Sequence, residues 1–396
     1  MLNERYERVW CSVANPARLT ELEVASGMVL GPGLQAYGPI ESRRPPLDVL
    51  WEHARRLLSA PPCVVAFSGG RDSSALLAML IQVARREGLT EPIAVTARWD
   101  GDEASNEASW QEQVIAWIGA KNWEIIRPGT DLELLGDAAT GALEAIGLIW
   151  PAPTYAFLPM IRMASGGVFV TGEGGDEAFG LWPYGRLWSD LRSHKMPKPY
   201  DLRALALGCS PAPVRRRRWR HNMPPHQHWL KDRAFTEVSR GLAREMSEEP
   251  LSWEKYQHVS RARRTTDILV DTFGRLCTME GSRYEAPFLD MEFLAALGSW
   301  GGKLGRGDRA QVMSSLFSDL LPKSILTRRS KATFGVVFWG PASRAFAENW
   351  DGTGLNPEFV DADALRQAWL APVPVYGCVL PLHAAWLFSV RRKLLA

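Results

Sequence analysis

The sequence predicts an α/β fold: a parallel sheet with helices on both faces, followed by a mostly helical C-terminal part. Three observations predict it. Short apolar runs alternate with helical patterns from about residue 46 to 180, and this strand signal fades afterwards. The two glycine-rich acidic stretches, "SGGRDSS" (68–74) and "TGEGGDEAFG" (171–180), each follow directly on an apolar run. Strand and helix alternating at this interval require β-α-β crossovers, and therefore parallel strands.

Taken in order, residues 1–45 are mixed in character and end in "GPIESRRPP", a Gly/Pro/Arg composition typical of a linker. "CVVAF" (63–67), "PIAVTA" (92–97), "NWEIIRP" (122–128) and "GGVFVTG" (166–172) read as short buried strands. Between them "SSALLAMLIQVARREG" and "EASWQEQVIAWIG" carry apolar residues at helical spacing. Residues 46–200 are thus the sheet part and 201–396 the helical part. In the latter, "HWLKDRAFTEVSRGLAREM", "YQHVSRARRTTDILVDTFGRL", "DMEFLAALGSW" and "DRAQVMSSLFSDLL" read as successive helices, and "PAPVRRRRWRHNMPPHQH" (211–228) as an exposed loop.

Composition narrows the class. A chain of 396 residues with 46% hydrophobic residues is globular and has room for two lobes. Forty-six basic against 44 acidic residues leave +2, which argues against a dedicated nucleic-acid binder. The cysteines (Cys11, Cys63, Cys209, Cys277, Cys378) form no C-x-x-C pair, the pattern of reduced thiols in a cytoplasmic protein without a zinc framework. No run of eighteen apolar residues occurs, so no membrane span is expected.

In an open parallel sheet, ligands bind beyond the carboxyl ends of the strands. Gly69 and Gly70 stand at such an end and let successive N–H groups converge on an anion. The helix that follows adds its positive N-terminal end, and Ser68, Ser73 and Ser74 offer hydroxyl donors. Asp72 would repel a bare phosphate, which calls for a divalent cation between them. No lysine follows the glycines, so this is not a Walker A loop, nor is it a G-x-G-x-x-G turn. An ordinary glycine-rich turn with a serine cap is the plain alternative. The second loop gathers Glu173, Asp176 and Glu177 within five residues, which is costly without a cation or a positive substrate. Asp72 and Asp176 could share Mg²⁺ on a nucleotide's phosphates.

Together the two loops resemble the asparagine synthetase family of ATP pyrophosphatases. "FSGGRDSS" is similar to its pyrophosphate loop and "TGEGGDEAFG" to its Ser-Gly-Glu-Gly-x-Asp-Glu-x-Phe-Gly signature. "EAPFLDMEFLAAL" and "RAQVMSSLFSDLLPKSILTRRSKATFG" resemble its later segments, in the family's order, from about residue 46 to 340. The resemblance implies a sheet of the adenine-nucleotide α-hydrolase (PP-loop) type and ATP with Mg²⁺ as cofactors. It also implies a carboxylate activated as an acyl-adenylate and then attacked by an amine. Residues matching Ser68, Gly69, Gly70, Asp72, Ser73, Ser74 and Gly172 would hold pyrophosphate, and Asp72 and Asp176 the magnesium. Lys331 would meet pyrophosphate as charge develops, Glu173 would face the amine, and Arg309 occupies a place where relatives often carry a basic residue. Without the family context, Lys331 would read as a surface charge.

The chain also departs from that family. Residue 2 is Leu2 rather than a catalytic cysteine, and about 45 residues precede the synthetase-like part, so glutamine hydrolysis is not expected. An amine already borne by the substrate, a small molecule or a peptide delivered by a partner protein, is favoured over free ammonia. The resemblance to lasso-peptide macrolactam cyclases and β-lactam synthetase points the same way. Arg71 stands where the family usually has an apolar residue, and either turns its head to solvent or adds a cation beside pyrophosphate. The Arg215–Arg220 run could meet RNA or an acidic peptide, or be a solvated loop. A non-catalytic nucleotide-binding scaffold and a tRNA-modifying enzyme are the readings of other classes. His221, His226 and His228 lack metal-site spacing and read as surface residues. Trp150 and Tyr155 could border the carboxylate substrate.

Overall fold

The computed structural model describes residues 19–33, 41–99, 107–180, 182–220, 227–328 and 337–395. Five strands, β1 (Cys63–Ala66), β2 (Ile93–Ala97), β3 (Trp123–Ile126), β4 (Val168–Val170) and β5 (Arg283–Glu285), form one sheet in the order β3-β2-β1-β4-β5. Every pairing is parallel, with Val64 opposite Ile93 on one side and Phe169 on the other. The strand order therefore runs one way from β1 to β3 and reverses to place β4 on the free side of β1. That reversal opens a crevice between the loops that leave β1 and β4.

Alternation along the strands explains the two covering layers. Cys63, Val65, Ala94, Val168 and Val170 join one hydrophobic cluster with the helices Pro46–Leu58, Arg71–Glu87, Ala108–Ile118 and Met291–Gly301. Val64, Ala66, Val95 and Phe169 face the other way and pack with Asp137–Ile146, Leu158–Met163 and Arg264–Met279. Strands buried on both faces need near-continuous apolar runs, which is why β1, β2 and β4 read as such, whereas β3 is an edge strand whose Glu124 and Ile125 are exposed. β5 was not anticipated. It is three residues long, polar in sequence and at the sheet edge, and its pairing with β4 defines it more than its composition does.

Three further differences from the sequence reading have physical causes. Residues 256–276 are not one helix: the chain turns extended at Arg263 (φ −80°, ψ 144°) between Trp253–Arg261 and Arg264–Met279. The break lets Arg261 turn inward, where it donates to the Leu289 carbonyl (3.1 Å) and pairs with Asp267 (2.8 Å). The arginine run is a helix, Ala212–Arg220, rather than a loop, and Arg215 donates to the carbonyls of Gly208, Ser210 and Ser247. Within the stretch read as a linker, Glu21–Ser26 is a capped helix whose Val24 and Ala25 are buried with Trp229, Cys378 and Val379. Glu23 of that helix pairs with Arg264 at 2.7 Å. Among the described residues, no helix is long and apolar enough to cross a membrane.

Phe273 carries much of the sheet's second face, being 1% exposed and stacked on Tyr284 at 4.5 Å with rings 9° apart. Replacing it, Phe273→Ala, is expected to cost about 3–5 kcal/mol of unfolding free energy. Urea denaturation measures this, and a loss below about 1 kcal/mol would contradict the packing described.

Candidate active site

β1 ends under a loop in which Gly69 adopts φ +81°, and Gly70 in extended geometry opens the helix Arg71–Glu87. A side chain on Gly69 would be strained by that φ and would also strike Gln111 Cγ, 2.8 Å from the ideal Cβ position. The loop's carbonyls are held from outside. Phe67 O accepts from Thr96 Oγ1 (2.7 Å), Ser68 O from Gln111 Nε2 (3.2 Å) and Gly69 O from an Arg328 guanidinium nitrogen (3.1 Å). Three consecutive acceptors, each repulsive to an anion, are thereby occupied by side chains from three different elements. The first N–H groups of a helix have no intrahelical acceptor, and those of Arg71–Glu87 start at the carboxyl end of β1, where the strand order reverses.

Ser68 and Ser73 share a hydroxyl–hydroxyl contact of 3.0 Å, and the Gly70 N–H donates to Ser68 Oγ at 3.2 Å. Ser74 differs from expectation: it is fully buried, and its hydroxyl has no hydrogen-bond partner, so it lies under the loop and not on its surface.

The loop after β4 closes on this one. An ideal Cβ on Gly172 would stand 3.0 Å from the Ser73 nitrogen, and one on Gly175 would stand 2.4 Å from Asp72 Cγ. The glycines of the second signature are therefore what let two strand ends touch. Asp72 and Asp176 meet across one guanidinium: Arg309, at the start of helix Arg309–Phe317, pairs with both carboxylates. Burial opposes charge on Arg309, but the two carboxylates outweigh it and raise the guanidinium above its ordinary value. Burial also pushes the Asp72 carboxyl up, with Arg309 working in the opposite direction, and Asp72 Oδ1 is buried without a hydrogen-bond partner. Burial raises the Glu177 carboxyl as well, and the neighbouring Asp176 adds to it.

An orphaned carboxylate oxygen beside a second carboxylate fits a hard divalent cation. No cluster of three or more His, Cys, Asp or Glu side chains suited to a metal occurs among the described residues, so phosphate oxygens would have to complete the shell. Arg71 is half-buried, with Arg309, Asp72, Asp176 and Asp308 as its charged neighbours. Burial first, then Arg309, pull its guanidinium below the usual arginine range. The charges that act on it are those of the crevice.

Glu173 follows β4, and its N–H donates to Thr171 Oγ1 at 3.3 Å. Thr171 Oγ1 in turn contacts the Tyr284 hydroxyl at 2.8 Å, while the Thr171 N–H donates to the Glu285 carbonyl. Burial, then the Glu173 charge, hold the Tyr284 hydroxyl well above its ordinary value. Lys331 lies outside the described residues, as do His221, His226 and Cys11. Tyr155 is not a substrate contact: it is completely buried and its hydroxyl donates to the Leu132 carbonyl (3.1 Å). Trp150 is partly buried, and its indole N–H reaches the Gly27 carbonyl at 3.4 Å.

Arg328, Glu107 and Gln111 were not singled out in the sequence. Arg328 and Glu107 form a buried ion pair, their side chains 4% and 8% exposed, and the guanidinium lies 4.6 Å over the Trp110 ring. Removing only the arginine, Arg328→Met, strands a buried carboxylate and is expected to cost about 3–5 kcal/mol. The double variant Arg328→Met/Glu107→Gln should recover most of that stability in urea titrations while still binding ATP about tenfold more weakly by calorimetry. ATP affinity recovering together with stability would remove Arg328 from the loop's support.

A family model described as asparagine synthase matches residues 51–373. No curated protein matches the chain. Among solved structures, it is similar to the crystal structure of NAD+ synthetase from Burkholderia pseudomallei, at 15% identity over 46% of this chain and 74% of that one. The TM-score there is 0.23, too low to add to the topology described above. The family match takes in both loops, Arg309 and the segment around Lys331, and on that span the chain belongs to the asparagine synthase family, as an ATP-utilising ligase.

Proposed function

We propose that this protein joins a carboxylate to an amine by adenylating the carboxylate with ATP, with release of pyrophosphate and then AMP. The observation that carries the reading is the meeting of Asp72 and Asp176 at the strand-order reversal, beside a loop whose carbonyls are tied back. A site built this way accepts a chain of phosphates, because N–H groups and cations converge where the backbone acceptors are already occupied. Asp72 and Asp176 would hold Mg²⁺, which neutralises phosphate charge when bound. Asp72 approaches from the first turn of one helix and Asp176 from that of the short helix Gly175–Phe179, so both would grip one polyphosphate from two sides.

The carboxylate oxygen attacks the α-phosphorus, and the bond to the bridging oxygen of pyrophosphate breaks. An ammonium that meets the departing pyrophosphate better than it meets ATP lowers that barrier, and Lys331 is assigned this part. The amine then attacks the acyl carbon, AMP departs, and the amine's proton passes to a base. Glu173 is assigned that base, its backbone held by Thr171 and Tyr284. Arg309 keeps the carboxylates together, and Arg71 adds positive charge at the same mouth.

We favour an amine carried by the substrate over free ammonia. An intramolecular amine profits from proximity, and nothing in this reading requires an ammonia source. Carboxylate- and amine-bearing small molecules and peptides are the substrate class to screen.

Incubation with ATP, Mg²⁺ and such candidates should yield AMP and pyrophosphate in equal amounts, with an amide product by mass spectrometry. Asp72→Asn or Asp176→Asn should slow this by about a hundredfold or more. Formation of ADP and phosphate would dismiss the adenylation mechanism, and ATP bound without turnover across the panel would favour a scaffold. Arg71→Leu is expected to weaken apparent ATP affinity by about tenfold, and unchanged affinity would remove Arg71 from the phosphate site.

A further inference from the structure

The helix Pro199–Cys209 turns Ala204 and Leu205 toward the core but leaves other apolar residues outward. Its sequence, "PYDLRALALGC", is dominated by apolar residues, yet the one residue of the helix that is buried is Asp201. Asp201 is held inside by Arg186, whose guanidinium also lies 4.2 Å over the Tyr200 ring. Leu202 is 48% exposed, and along the same outward row stand Arg203, Ala206 and Cys209, all exposed. Just before the helix, Met196 is 89% exposed, and Leu191 and Val214 on the flanking helices are exposed as well. Large apolar side chains exposed on three successive segments, rather than scattered singly, suit an interaction surface.

The charge around it says what kind of partner fits. Residues 191–220 carry nine lysines and arginines against one acid, and that acid is the buried, already paired Asp201. Arg192, Lys195, Lys198, Arg203, Arg217 and Arg218 are exposed. The near-neutral balance of the whole chain makes this concentration a local feature. Aliphatic side chains within a cationic surround suit a ligand that is apolar on one face and acidic on the other. A nucleic acid would use the cations and aromatic faces but gain little from Leu202, Met196 and Val214.

We propose that helix Pro199–Cys209 with its arginine-rich neighbour Ala212–Arg220 is a docking surface for an acidic amphipathic peptide segment. The surface is joined to the site: the excursion leaves the second loop at Gly180, and an ideal Cβ on Gly185 would stand 2.5 Å from the Gly307 carbonyl, two residues from Arg309. A polypeptide anchored there and long enough to reach the crevice would raise the local concentration of its own reactive groups. The inference extends the proposed amide chemistry to a peptide-borne substrate. Its test needs neither ATP nor turnover, so failure of one leaves the other standing.

The test uses the full chain and a fluorescein-labelled peptide of about 18 residues, with leucines at helical spacing and glutamates on the other face. Fluorescence anisotropy should show binding that weakens with salt. A scrambled peptide of equal composition should bind at least about tenfold more weakly. Leu202→Glu should lower affinity at low and high salt alike, whereas Arg217→Glu/Arg218→Glu should flatten the salt dependence. Circular dichroism of each variant should match the parent, since these side chains are exposed. Equal affinity for the scrambled peptide, or tighter binding of an RNA oligomer or of anionic phosphatidylserine vesicles, would overturn the assignment. So would self-association in sedimentation that Leu202→Glu abolishes, which would make the occupant a second copy of the chain.

Discussion

Two carboxylates from different strand ends repel each other unless a positive group stands between them, and this site depends on how Asp72 and Asp176 are reconciled. Arg309 does so by reaching both from a helix more than a hundred residues further along the chain. Its guanidinium suits the task because it keeps its charge in a partly buried place and offers two nitrogens to two carboxylates at once. The arrangement is poised, since Asp72 keeps one oxygen without a hydrogen bond and burial disfavours its charge. Further positive charge arriving with a nucleotide would find a receptive group. The electrostatics work only at short range, and glycine makes that range available: with any side chain at 175, the second loop could not lie against Asp72.

Around that ion cluster the backbone is fixed from outside. Thr96 from β2, Gln111 from the next helix and Arg328 from the C-terminal part each take one carbonyl of residues 67–69. The supports are themselves supported, because Arg98 donates to Gln111 (2.8 Å), Trp123 to Thr96 (3.0 Å), and Glu107 neutralises Arg328. Preorganisation of this sort places the reorganisation cost in folding and not in binding. It also links distant parts of the sequence to seven residues of loop.

The legible parts of this structure were those encoded locally. β1, β2 and β4 announced themselves because burial on both faces demands near-unbroken apolar runs, edge strand β3 by Trp123, Ile125 and Ile126 around an exposed Glu124, and the two loops because glycine, serine and aspartate cluster at their ends. What stayed hidden depends on topology. β5 is a strand because β4 offers its edge, not because "RYE" prefers that state. Arg328 and Glu107 look like ordinary surface charges until the fold brings them under Gly69. The inward turn of Arg261 is what the helical period of 256–276 could not disclose, since the pattern continues across the break. The arginine run, whose biased composition reads as an exposed loop, is a helix over Ala212–Arg220. Arg215 ties the helix to its neighbours, donating to carbonyls at the C-terminal ends of Pro199–Cys209 and Asp232–Ser247, and Arg216 finds Glu248 at 3.4 Å.

The hydrophobic clusters ignore the boundary at residue 200. One face of the sheet is closed by Phe288, Phe293 and Phe317 together with Phe179, and the other by Phe273, Leu276 and Cys277. The helical part is thus the outer wall of the sheet as well as the region from which substrate contacts would come. Such a protein cannot acquire a new specificity by exchanging one lobe for another, because the incoming lobe would have to refit both faces of the sheet. Change is channelled into the residues of that wall that face outward or line the crevice, where a side chain can vary without loosening the floor beneath the phosphate loop.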